Sequence, residues 1–146
     1  MISPAKVLGS IEREVRALST TMFDSATRLL AMHPDAGLTV RRTPDHVVLQ
    51  AGNISVSVSF FRSRAGSEAN IEVVLAVWQG EVTFPGSARR EGSRATRLSA
   101  QQFHIVACDD SSWVWMDEAT TDTMTSQALA AACIGTMAER LPVSVS

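Results

Sequence analysis

Ile54-Ser55-Val56-Ser57-Val58-Ser59-Phe60 is the stretch that decides the fold. Apolar and polar residues alternate strictly, so an extended chain presents Ile54, Val56, Val58 and Phe60 to one side and the three serines to the other. A helix would scatter the same residues around its circumference. The segment is therefore a β-strand with one buried face, running from Ile54 to Arg62.

Short runs of the same kind lie on both sides. Upstream, Leu38 to Arg42 and His46 to Ala51 are separated by Thr43-Pro44-Asp45, and Gly52-Asn53 turns the second run into Ile54. Such turn residues between short apolar runs read as hairpins. Downstream, after Ala65-Gly66-Ser67, Ile71 to Trp78 sets Ile71, Val73, Leu75 and Val77 on one side. Gln79-Gly80 then leads into a short run, Glu81 to Phe84. A loop from Pro85 to Ser93 precedes Arg94 to Cys108, a long strand or bent pair, and Trp113 to Met116 closes the series. No crossover helix separates any of these runs, so the expectation is an antiparallel meander of about six or seven strands.

Helical segments flank the meander. Ser3-Pro4 is a helix start, because the serine hydroxyl accepts from a free backbone N–H and proline fits the first turn without losing a bond. Leu8, Ile11, Val15, Leu18, Met22, Ala26 and Leu29 then recur at steps of three and four, forming one apolar stripe on a helix ending near residue 32. At roughly 1.5 Å per residue this helix is about 40 Å long, enough to cross a sheet of roughly seven strands spaced about 4.8 Å apart. Ser19-Thr20-Thr21 weakens helix propensity midway and leaves room for a break near residue 20. A second helix is expected over Met124 to Leu141, with Asp117, Glu118 and Asp122 at its positive end. Its small residues Ala128, Ala131, Gly135 and Ala138 would permit close packing. The fold expected is thus α+β in a single domain over residues 1 to 146: a long N-terminal helix, the meander, and a C-terminal helix, with both helices on one face of the sheet.

Composition bounds the functional classes. The chain has 146 residues, 45% hydrophobic and 19% charged, large enough for a core without metal or disulfide support. A net charge of −2 supplies no general attraction for nucleic acid, which needs clustered basic charge. The middle of the chain is mildly basic and the last third acidic, the usual pattern of solvated faces. Cys108 and Cys133 read as small buried hydrophobes rather than a disulfide. With no secretion signal and no apolar run of about 18 residues, the expected location is the cytoplasm.

Chemistry-bearing residues are sparse. His104 and Cys108 share a strand face but lie about 13 Å apart along an extended chain, too far for a nucleophile and base. Asp109 and Asp110 beside Cys108 would raise a thiol pKa, not lower it. His33, His46 and His104 have no metal-ligand spacing, and the acidic residues match no calcium loop, so neither metal nor cofactor is expected. Arg89, Arg90, Arg94 and Arg97 cluster around a Gly-Ser loop and offer donors to an anion. Trp113 and Trp115 share a face and could stack a planar ligand, but aromatics on a terminal strand are usually core.

The second face of the sheet is more informative. Alternation sends Phe61, Val74, Ala76 and Trp78 there, among Ser55, Ser57, Ser59 and Glu72, giving a partly apolar surface where a fully polar one would suffice. The expectation is a non-catalytic protein-interaction module that pairs with itself as a homodimer, or with another protein, through Phe61, Val74, Ala76 and Trp78. The alternative is a small-ligand domain or enzyme with a pocket between sheet and helices, using Trp113, Trp115, His104 and the Arg89 to Arg97 loop.

Overall fold

A computed structural model describes residues 4–65, 68–80, 95–108 and 112–141. Helix α1 spans Pro4–Met32. Strands β1 (Thr39–Thr43), β2 (His46–Ala51), β3 (Ile54–Ala65), β4 (Glu68–Gln79), β5 (Thr96–Ala107), β6 (Trp113–Asp117) and β7 (Thr123–Met124) follow, and helix α2 spans Ser126–Ala138. The seven strands form one sheet in sequence order, every neighbouring pair antiparallel. This is the α+β meander with two helices packed against the sheet that the alternation implies.

One residue parity builds the core. On β3, Val56 and Val58 face the helices, and their direct partners Leu49 and Val47 on β2 and Val77 and Leu75 on β4 do the same. Phe103, Ile105 and Trp115 extend this layer across β5 and β6. From above it is closed by Ile11, Val15, Leu18, Met22, Ala26 and Leu29 of α1 and by Leu129, Ala130, Cys133 and Met137 of α2, all buried. The α1 stripe is therefore the one the spacing predicts.

α1 runs unbroken through Ser19-Thr20-Thr21. Two of the three hydroxyls accept from the sheet. Arg42 on β1 donates from Nε to Ser19 Oγ (2.9 Å) and from Nη2 to Thr20 Oγ1 (3.0 Å), and its guanidinium lies 5.7 Å from the centre of the Phe23 ring. Farther toward the N-terminus, Arg62 on β3 donates from Nε to Glu12 Oε1 at 2.8 Å and from Nη1 to Asp45 Oδ1 at 3.0 Å. Two arginines from the sheet thus clamp one edge of the helix.

Four expectations need correction. β3 and β4 extend past Arg62 and begin before Ile71, to Ala65 and from Glu68, because backbone pairing continues where the apolar alternation stops. β7 is a two-residue strand, too short to show a period. α2 begins at Ser126, with Thr125 as its cap accepting from the Ala128 N–H at 3.1 Å. Asp117, Glu118 and Asp122 accordingly belong to the β6–β7 turn: Asp117 Oδ1 accepts from the Ala119 N–H, and the Asp122 carbonyl accepts from the Asp117 N–H. Finally, the small-residue strip of α2 does not pack: Ala128, Ala131 and Ala138 are exposed, and a Cβ on Gly135 would meet nothing within 4 Å. The helical period buries Ser126, Ala130, Cys133 and Met137 with Leu129, and that set lies around the circumference from the strip. The Glu81 to Phe84 strand and the Ser3 cap lie outside the described residues.

Candidate functional site

The two faces of the sheet differ in cover. On the helix side, where the alternative reading placed a pocket, the middle of the layer is filled by Trp115, Phe103, Leu18, Met22, Leu129 and their neighbours, and a cleft of about 420 Å³ lies at the edge between α1 and β1, lined by Glu12, Arg16, Ser19, Arg42 and Arg62. The other face carries an open groove of about 1070 Å³.

Three strands make the groove, and register explains its shape. Ser57 and Ser59 of β3, Val74 and Ala76 of β4, and Ala100 and Gln102 of β5 stand in cross-strand rows, Ser57 with Ala76 and Ala100, Ser59 with Val74 and Gln102. These side chains are mostly short, so the middle of the sheet is a recessed floor. Larger groups stand at both ends: Trp78 beside Arg97, and Phe61 beside Glu72. The β6–β7 turn, residues 117 to 120, forms a side wall held in place by the Glu118 N–H donating to the Gln102 carbonyl at 3.0 Å.

A β-bulge sets one end. Ser99 lies opposite Val77, so a regular ladder would put Leu98 opposite Trp78, but the register shifts at Val77/Trp78 and Arg97 takes that place. The extra residue re-aims the strand, and Arg97 lines the groove instead of the half-exposed Leu98. Trp78 is fixed by its indole, Nε1 donating to Ser57 Oγ at 2.8 Å. Ser55 Oγ donates to the Gly80 carbonyl at 2.9 Å, which closes the same end. Phe61, at the other end, is 54% exposed, an unusual state for a phenyl ring in mid-strand.

The groove is polar in sequence along its length. Arg97 marks one end; Glu72, Asp117 and Glu118 gather toward the other. His104 lies directly across from Glu72, with Nδ1 at 3.6 Å from Glu118 Oε1.

The residues singled out from sequence therefore separate into groups. Phe61, Val74, Ala76, Trp78 and Arg97 come together in the groove. His104 borders its acidic end. Trp113 and Trp115 point the opposite way: Trp113 Nε1 donates to Ser10 Oγ of α1 at 2.7 Å, and the fully buried Trp115 donates to Ser126 Oγ at 2.9 Å. Ser126 in turn donates to Glu14 Oε1, so a polar chain joins β6, α2 and α1. Neither indole is available to stack a ligand on the open face. Arg89, Arg90 and Arg94 lie outside the described residues. Ala100, Gln101, Gln102 and the 117–120 turn escape sequence reading, since Thr96 to Gln102 has no clear alternation and its facing depends on the bulge.

In the groove the described hydroxyls stand away from the imidazole; a hydroxyl–imidazole contact occurs elsewhere, in the β1–β2 turn, where Thr43 Oγ1 lies 3.2 Å from His46 Nδ1. From the register, Ser59 and His104 are two strands and two residues apart, roughly 12 Å, beyond any nucleophile–base contact. β5 is continuous from His104 to Ala107, so Cys108 stays extended away from the imidazole. Cys133 is sealed in the core, where burial pushes its thiol up to about 12. Burial also lowers the His46 pKa, with Asp45 opposing, and the hydrogen bond to Glu12 raises that of Arg62. Among the described residues no group of three or more His, Cys, Asp and Glu side chains is placed to hold a metal ion. Nor is any helix among them long and apolar enough to cross a membrane.

Comparison with known proteins yields no counterpart: no family model, no curated protein and no solved structure matches the chain.

Proposed function

We propose that this chain is a non-catalytic protein-binding module whose working surface is the groove on the open face of its sheet. The observation that carries the reading is the juxtaposition, on a face that no helix among the described residues covers, of Trp78 and the exposed Phe61 around a recessed floor with a charged rim. Aromatic anchors and a polar border are features of a protein contact. A small ligand is normally buried over most of its surface, and a groove lying open along a sheet does not enclose one. Two unpaired cysteines suit a reducing compartment, and the cytoplasm is the location we propose.

Photo-crosslinking in the intact source cells tests this. A benzophenone side chain at Phe61 should give discrete protein adducts that a benzophenone at Leu30, exposed on α1, does not give. Ala76→Arg, which fills the floor of the groove, should abolish them while leaving the far-ultraviolet circular dichroism of the chain unchanged. Equal adducts from both positions, or a small molecule retained in native mass spectrometry, would refute the reading.

A further inference from the structure

Resting on the protein-binding reading above, we propose that the occupant of the open face is a second copy of this chain, turned end for end, with Arg97 of each copy paired to Glu72 of the other. The charge order along the groove carries this. Arg97 sits at the level of Trp78, and Glu72 lies six residues away along β4, about 20 Å at roughly 3.3 Å per residue. Glu118, beside His104, adds to the acidic end. A two-fold axis lying between the copies and crossing the strands at the level of Leu75 exchanges the two ends. Each Arg97 then comes over the acidic end of the opposite copy, and each acidic end receives an arginine. The groove is complementary to itself only in this reversed orientation; the parallel one sets arginine on arginine.

Shape agrees with charge. Short side chains in the middle rows, Ser57, Ala76 and Ala100, let two sheets approach, while Trp78 and Phe61 stand at opposite ends and exchange places under the same rotation. Face-to-face sheets pack about 10 Å apart at roughly −30°, a spacing these small rows accommodate. The available area is also adequate. Strands β3, β4 and β5 have twelve residues each, β2 six and β6 five, so at roughly 3.3 Å by 4.8 Å per residue at most about 750 Å² per copy is offered, near the roughly 800 Å² of a specific interface. Edge pairing is a poorer route: β1 carries Arg41 and Arg42, and β7 has only two residues.

Sedimentation equilibrium of the full chain from about 1 μM to 1 mM, with charge-swapped variants, decides the matter. Expected are a reversible dimer, at least tenfold weaker association for R97E and for E72R, and recovery to within about threefold of the parent in R97E/E72R, following the logic of a double-mutant cycle. Association of the unmodified chain should weaken as sodium chloride rises from about 50 to 500 mM, since the paired charges are at the rim and screened. That salt series and the neutral variants Arg97→Gln and Glu72→Gln keep the test alive if a swapped variant misfolds. A monomer at every concentration, a dimer indifferent to both swaps and to salt, or a double variant weaker than either single one would overturn the proposal. A monomeric chain whose Phe61 adducts are of a different protein would remove this inference and leave the protein-binding reading standing.

Discussion

The two faces of strand β3 are built from alternate residues of one segment, yet they are buried for different reasons. Val56, Val58 and Phe60 are hidden because two helices lie on them. Ser57 is hidden at 1% exposure because Trp78 leans over it and donates to its hydroxyl. On one face burial reflects a completed core; on the other it reflects a recess between taller neighbours. Fractional exposure alone does not distinguish a finished face from a waiting one. The cover does, and Phe61, 54% exposed on the same strand, marks the side that has none among the described residues.

The largest expected effect is on the covered face. Trp115→Ala should lower the unfolding free energy by about 3–5 kcal/mol, since it empties the centre of the core, and urea denaturation will read the loss. Trp78→Ala, the same chemical deletion on the open face, should lose at most about half of that and instead weaken association.

Next in size is the polar chain that pins the covered face. Ser126→Ala should cost about 1–3 kcal/mol, because it leaves the Trp115 indole and the Glu14 carboxylate without their shared partner in a buried place. A loss under about 0.5 kcal/mol would mean that the chain of bonds contributes little to joining β6, α2 and α1.

How far sequence reached follows from what each signal measures. Strict alternation in β3 and β4 and the three-four stripe of α1 report a buried face directly, so the meander and the long helix were legible, as was the groove content of Phe61, Val74, Ala76 and Trp78. The two tryptophans of β6 read as core more readily than as a ligand platform, as aromatics on a terminal strand usually are, but a five-residue strand does not say which of its sides meets a helix; Ser10 and Ser126, remote in sequence, settle that. In the sequence Arg97 stands out for a different reason, as one of a basic cluster. Its place in the groove depends on the bulge at Trp78, a pairing irregularity that no single strand announces. The acidic residues before α2 looked like helix-start chemistry but serve a turn, where Thr125 supplies the cap.

A reagent test contrasts the two thiols without altering the chain. Ellman's reagent should label native Cys108, which is half-buried at a strand end, before Cys133, whose thiol is sealed in the core with its pKa near 12. Simultaneous labelling of both would show that the covered face opens.

The smallest effect expected is on pH. Burial lowers the folded pKa of His46 below its ordinary 6.5, so the unfolded chain binds the proton more readily. Stability from this group is present above pH 6.5 and is lost as pH falls through the folded value. His46→Gln should flatten that part of the stability profile, and an unchanged slope would mean that the imidazole is as well solvated folded as unfolded.

Phe61→Ser tests the division of the two faces most directly. Measured at a concentration low enough to keep the chain monomeric, its unfolding free energy should stay within about 0.5 kcal/mol of the parent, as for an exposed position, while sedimentation shows association weakened at least tenfold. A large loss of stability, or undiminished association, would contradict the claim that the open face is built for contact and not for the fold.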